Sequence, residues 1–313
     1  SPKTSKNAES FFIFLNLSNY VTMKITLISR RNVMITKEMI KKVIEKVSEE
    51  NKKECINIKT HVDENLTIFD SKFGGIPYLP KDFEVPCDSS SNHEQFALLA
   101  QINCAELPEN NLYPKVGILQ FWIGRDDLMG LEDDYKVVYF ENIDNTITKE
   151  EVLTKYKPLD PNNYDQYTPF DPTNAEFGLT FEKGISTITT ADYRFENIII
   201  SAIHELYPDE EVARLYSDLD EDVHEYLYTS VKGLKHAIGG YPNFTQYDPR
   251  GYNSEEGEQS PYDIMLLQVE SEWKKDNDVE IIWGDCGVGN FFISEENLKN
   301  RNFDDVLYNW DCC

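Results

Sequence analysis

Two blocks of this chain carry the same three signals in the same order, and that repetition limits the fold more than any other feature. Gly74-Gly75-Ile76-Pro77, then Leu98-Leu99-Ala100-Gln101, then Gly117-Ile118-Leu119-Gln120-Phe121-Trp122-Ile123 form the first block. The second runs Gly239-Gly240-Tyr241-Pro242, then Leu266-Leu267-Gln268-Val269, then Gly289-Asn290-Phe291-Phe292-Ile293. Gly-Gly frees φ for a turn, and the residue before Pro is pushed into extended backbone. A Gln inside an apolar strand must find partners for its amide, most often in the backbone of a neighbouring loop. One β-rich block alone leaves a sheet face bare, so two are expected to pack together. The expected fold is α+β: β-rich with mostly antiparallel sheets, internally duplicated β units packed with a few helices. The expected divisions are an extension at 1–22 and a single domain at 23–313. Within that domain half one spans about 60–150, a connector 151–205 and half two about 206–313.

Around the blocks the periodicity changes. Ile40, Val43, Ile44 and Val47 recur at helical spacing with Thr36 as N-cap. Residues 96–102, 117–123 and 136–140 read as strands, and strand-like sequence continues from Phe177 to Ile200. Val212, Leu215, Tyr216, Leu219, Val223, Tyr226 and Leu227 make a second helical stripe ending before Gly233. The Pro- and Tyr-rich stretch from Lys157 to Pro172 has too little charge and too many aromatics for a solvated linker, and reads as an ordered surface loop. Phe11-Phe12-Ile13-Phe14-Leu15 is too short for a secretory core and is interrupted by Asn16, so it reads as an added strand or extension.

The motifs Lys72-Phe73-Gly74-Gly75-Ile76-Pro77-Tyr78-Leu79-Pro80, Leu99-Ala100-Gln101-Ile102-Asn103 and 117–123 resemble the YwqG-like family, a domain family of unknown function. Gly239-Gly240-Tyr241-Pro242-x-Phe244-x-Gln246 and Trp283-Gly284-Asp285-x-Gly287-x-Gly289 extend the likeness over roughly 60–313. The resemblance implies an α+β protein without an established reaction. Residues 1–22 depart from the family pattern, and Cys87 stands close to the place of a Trp-Pro pair in many relatives.

Charge narrows the function further. The chain has 30 Lys and Arg against 56 Asp and Glu, a net charge of −26. Nucleic acid is excluded as an expected partner, because backbone binding depends on basic side chains displacing counterions. No apolar run is long enough to span a bilayer, so no membrane partner is expected either. A basic protein partner is expected, and the small-molecule ligand is left unassigned. The six scattered cysteines show neither CxxC nor zinc spacing and read as free thiols of a cytoplasmic protein.

Several constellations invite chemistry. Gly284-Asp285-Cys286-Gly287-Val288-Gly289 lacks the Lys of a phosphate loop and passes from strand to strand, so a hairpin turn is expected. Cys286 could act as a nucleophile with His236, or His204, as base and Asp285 beside it, but no spacing brings them together and the expectation is no catalytic residue. Asp126 and Asp127 offer oxygens to a hard cation without matching any known loop, and an exposed acidic turn is preferred; no metal or cofactor is expected. The expected ligand- or partner-binding residues are Gly74, Gly75, Tyr78, Gln101, Trp122, Gly240, Tyr241, Gln268, Trp283 and Asp285, which gather at the seam of the two blocks. The reading is a non-enzymatic protein- or ligand-binding module, immunity- or antitoxin-like in one form. The alternative is a hydrolase or transferase using a Cys/His/Asp pocket.

Overall fold

A computed structural model describes residues 35–89, 93–163, 165–251, 259–274 and 278–313; the extension at 1–22, with its Phe11–Leu15 run, lies outside the described residues. Contacts divide the chain into two units, Ser1–Lys46 with Glu196–Ser230 and Val47–Phe195 with Val231–Cys313.

The second unit holds the sheet. Ten strands, β1 (Lys53–His61), β2 (Lys72–Gly74), β3 (Ala97–Asn103), β4 (Ile118–Ile123), β5 (Tyr135–Phe140), β6 (Glu176–Ser186), β7 (Ala237–Gly239), β8 (Ile264–Glu270), β11 (Val288–Ile293) and β12 (Val306–Asp311), form one sheet. Strands β9 (Glu272–Lys274) and β10 (Val279–Ile281) make a separate two-stranded sheet. The long sheet runs β12-β11-β8-β7-β1-β6-β2-β3-β4-β5, and every recorded pairing is antiparallel.

Both faces of β4 and β11 are buried, which explains their continuous apolar runs. Along β4, Leu119, Phe121 and Ile123 enter the main core, whereas Ile118 and Trp122 turn to a second cluster with Tyr78, Leu98 and Tyr156. The main core also takes Phe73, Phe177, Leu267, Phe291 and Tyr308. The two edge strands meet across it. Tyr135 Oη on β5 donates to Val306 O on β12 at 2.7 Å, and Tyr135 lies against Tyr308 at 5.1 Å between ring centroids. The sheet therefore curls nearly into a barrel, which shields edges that would otherwise offer unpaired backbone groups.

The first unit is helical where it is described. Helix α1 (Lys37–Glu50) begins after Thr36, whose Oγ1 accepts from Met39 N, and buries Ile40, Val43 and Val47 as its spacing predicts. Helix α2 (Lys149–Leu153), in the other unit, opens with a Thr148/Glu151 capping box. Two elements differ from what the sequence leads one to expect. The strand-like stretch reaching Ile200 ends as β6 at Ser186, and Phe195–Leu206 forms helix α3. Its β-branched Ile198-Ile199-Ile200 mimics a strand, but Phe195, Ile199, Ala202 and Ile203 are the buried positions, a helical spacing. The second helical stripe is broken into α4 (Leu215–Asp218) and α5 (Glu221–Ser230). Asp218 turns back to accept from Ala213 N and Arg214 N, and Leu219 is extended. A last short helix, α6 (Glu295–Lys299), is capped by Ser294 and follows β11.

Among the described residues no helix is long and apolar enough to cross a membrane. The structure is thus an α+β fold built on a large antiparallel sheet.

Candidate functional site

The Gly-Gly-x-Pro segments take the backbone their sequence demands. Gly74, Gly75, Gly239 and Gly240 all have positive φ, between 63° and 78°. At Gly74 a Cβ would sit 2.0 Å from Ala175 O, so this turn needs glycine for space as well as for φ. Each turn leaves backbone groups that a strand glutamine satisfies. Gln101 Oε1 accepts from Tyr78 N and Gln120 Nε2, while its Nε2 donates to Ile68 O and Asp70 O. Gln268 Oε1 accepts from Asn243 N, and its Nε2 donates to Leu234 O and Lys235 O. Gln101 lies in register with Gln120 and Gln268 with Asn290, so a polar pair braces each turn.

The aromatic residues expected at the seam are buried. Tyr78 accepts at its hydroxyl from Asp144 N, and Trp122 Nε1 donates to Gln120 Oε1. Trp283 lies against Trp310 at 5.9 Å, and its buried Nε1 has no hydrogen-bond partner among the described residues. Tyr241 donates its N–H to Ser186 Oγ, with Lys53 Nζ 4.5 Å above its ring and the Arg194 guanidinium 5.6 Å away. Burial and neighbouring Arg194 and Arg250 lower the Lys53 pKa.

His236 is engaged elsewhere than at Cys286. Its Nδ1 accepts from Glu270 N at 3.1 Å, so the hydrogen resides on Nε2, which lies 3.3 Å from Glu272 Oε2. Glu272 also accepts from Thr60 Oγ1 and pairs with Lys274 at 3.0 Å. Burial alone would raise its pKa, but the bonds from His236, Thr60 and Lys274 prevail and hold it at about 2. Both ring nitrogens of His236 are committed, leaving neither to take a proton from a thiol. Cys286 is exposed and touches Cys313, with Asp285 beside it.

The glycine-rich run is a turn between strands, as expected, though not a hairpin: β10 and β11 belong to different sheets. Gly287 N donates to Trp283 O, closing the turn on itself. In the acidic loop Asp126 Oδ1 accepts from Leu128 N, and Tyr308 Oη and Trp310 Nε1 donate to Met129 O and Leu128 O. The loop is thereby fastened to β12. Burial and then Asp126 raise the pKa of Asp134. Among the described residues, only Asp285, Cys286 and Cys313 bring three potential metal ligands within reach of one ion; Asp126 and Asp127 belong to no such set.

An open groove lies elsewhere on the sheet unit, where the Pro-rich loop meets the β9–β10 hairpin. Phe170 bridges Ile281, Ile282 N donates to Pro169 O, and Asn174 Nδ2 donates to Asp278 O. The described part of the loop is held as its composition predicts: Arg125 donates to Lys157 O at its start and to Gln166 Oε1 near its middle. Two adjoining hollows of about 540 and 460 Å³ share Asp171 and Glu280. Pro161, Pro169, Pro172 and Ile282 line one; Trp273, Lys274 and Asp278 line the other. Trp273 is 70% exposed, an unusual place for a large aromatic ring. Hydrogen bonds from the Thr173 hydroxyl and backbone N–H hold Asp171 below the usual carboxylate range, so it remains an anion. Among the described residues lining the groove, the one lysine, Lys274, is paired with Glu272.

The groove residues Trp273, Asp171, Asp278 and Glu280 were not among the sequence candidates. Only the Pro-rich loop signalled that part of the site, because its other wall comes from a hairpin about a hundred residues later.

Residues 71–312 match the family described as "Domain of unknown function (DUF1963)". No curated protein matches the chain.

Proposed function

We propose a binding role on one premise: this chain belongs to the DUF1963, or YwqG-like, family, which its Gly-Gly-x-Pro motifs already resembled. In this reading it is a non-enzymatic module that docks a basic segment of a protein partner in the groove between the Pro-rich loop and the β9–β10 hairpin. The observation that carries it is an exposed Trp273 ring beside Asp171, Asp278 and Glu280. An aromatic face and nearby carboxylates are complementary to a Lys or Arg side chain, through cation–π attraction and charge pairing. The committed state of His236 supports a non-enzymatic role over a Cys/His/Asp hydrolase.

The two blocks are read as a duplication. The sheet order is consistent with it, since β2-β3-β4-β5 and β7-β8-β11-β12 run outwards from the central β6 and β1. The seam residues Gly74, Gly75, Gln101, Gly240 and Gln268 then hold the frame on which the groove is mounted. An immunity-like protein neutralising a basic toxin domain is one form of this role, resting on analogy of charge.

Affinity capture from cell lysate at low salt tests the proposal. A basic protein retained by the wild-type chain, eluted by salt and lost with Trp273→Ala or with Asp278→Lys plus Glu280→Lys, is the expected result. Equal capture by all three proteins would place the docking surface elsewhere and overturn the reading.

A further inference from the structure

We infer that Cys286 and Cys313 form a reversible oxidation site, a thiol pair that a peroxide converts to a disulfide joining the turn after β10 to the end of β12. The two Sγ atoms are 2.9 Å apart and both residues are exposed. A disulfide spans about 2.05 Å, so a small closing movement suffices. Two thiolates on a tetrahedral zinc stand about 3.8 Å apart, so zinc would have to push the sulfurs apart, and with Asp285 only three ligands gather among the described residues, one short of a closed four-ligand zinc site.

The glycines of the turn supply an independent observation. Gly284 has φ +60°, and a Cβ there would lie 2.6 Å from Cys312 Sγ; one at Gly287 would lie 1.9 Å from Asp311 O. The turn can rest on the strand end only because both positions lack side chains. That strand end is itself fixed. Asp311 accepts from Thr245 N and Gln246 N, and Gln246 Nε2 donates to Cys312 O at 2.7 Å. Two anchored backbone segments thus hold the thiols together, which two flexible surface cysteines would not do.

The reaction balances with hydrogen peroxide as oxidant. The hydrogen bond with Cys286, followed by its charge, burial and Asp285, pushes the Cys313 thiol up to about 11, and both sulfurs are exposed to the oxidant. The Cys286 thiolate attacks one peroxide oxygen, the O–O bond breaks, and the departing hydroxide takes up the proton that the thiol released, leaving water and a sulfenic acid. Cys313 then gives its proton to solvent as its sulfur attacks that of Cys286. The S–O bond breaks, and hydroxide with the released proton forms the second water. Two thiols are oxidised by two electrons, and one peroxide is reduced to two waters.

The full chain, first reduced and freed of reductant, is treated with a slight excess of hydrogen peroxide. The six thiols fall to four, peptide mapping links Cys286 to Cys313, dithiothreitol restores all six, and the melting temperature of the oxidised form rises by several degrees. Cys312→Ser still forms the link and Cys286→Ser does not. No thiol loss, a link through Cys312 or between chains, or thiols that react only after chelation removes a bound zinc ion would each overturn the assignment.

Discussion

At the scale of the residue, His236 shows how a group that invites a catalytic reading becomes structural through its bonds. An acceptor at Nδ1 and a donor at Nε2 satisfy the ring completely, and its partner Glu272 is the more informative group. Glu272 is held at about 2 from an ordinary 4.5, so it binds its proton more weakly folded than unfolded. The stability this supplies is complete above the unfolded value and disappears as pH falls from about 5 to about 2. Glu270 is shifted up by burial and acts with the opposite sign, so a comparison of variants isolates Glu272 better than the raw acid limb does. Urea denaturation of wild type and Glu272→Gln across this range should show a wild-type advantage of about 3 kcal/mol near neutrality shrinking towards zero at the acid end. An advantage independent of pH contradicts the argument.

At the scale of the element, the turn and its glutamine brace act together, and this part of the fold was legible in the sequence. Gly-Gly-x-Pro specified positive φ at the glycines, and a Gln within an apolar run specified internal amide partners; both are found, twice. Replacing Gln101 by Leu strips partners from Tyr78 N, Gln120 Nε2, Ile68 O and Asp70 O, at roughly 1 kcal/mol each, or about 3–4 kcal/mol in all. Gln268→Leu, with three partners, should cost nearly as much. Denaturant midpoints check both, and a cost under about 1 kcal/mol for either removes the bracing role. The helix α3 was illegible because three consecutive isoleucines satisfy strand and helix spacing equally over so short a run. The break between α4 and α5 depends on Asp218 reaching back to Ala213 and Arg214, a local bond that periodicity does not register. The groove was illegible for a different reason: its walls, near Asp171 and near Glu280, come together through a few contacts between Pro169, Phe170 and Asn174 on one side and Asp278, Ile281 and Ile282 on the other, and nothing in either segment names the other.

At the scale of the whole molecule, the charge of −26 acts on stability and on binding with opposite signs. Like charges at this density repel one another in the compact state, and raising ionic strength from about 0.01 to 0.1 M shortens the screening length from about 30 to about 10 Å. The exposed ion pairs, such as Lys59 with Glu182 and Lys183 with Glu54, are worth little individually and lose little when screened. Repulsion is the larger quantity, so the melting temperature should rise with salt. A basic partner held by Asp171, Asp278 and Glu280 is attracted by the same field, so its affinity should fall over the same interval. Thermal melts and binding isotherms measured on one salt series separate the two effects. If both fall together, ion pairs outweigh repulsion in the folded chain; if affinity is unchanged, the carboxylates of the groove do not hold the partner.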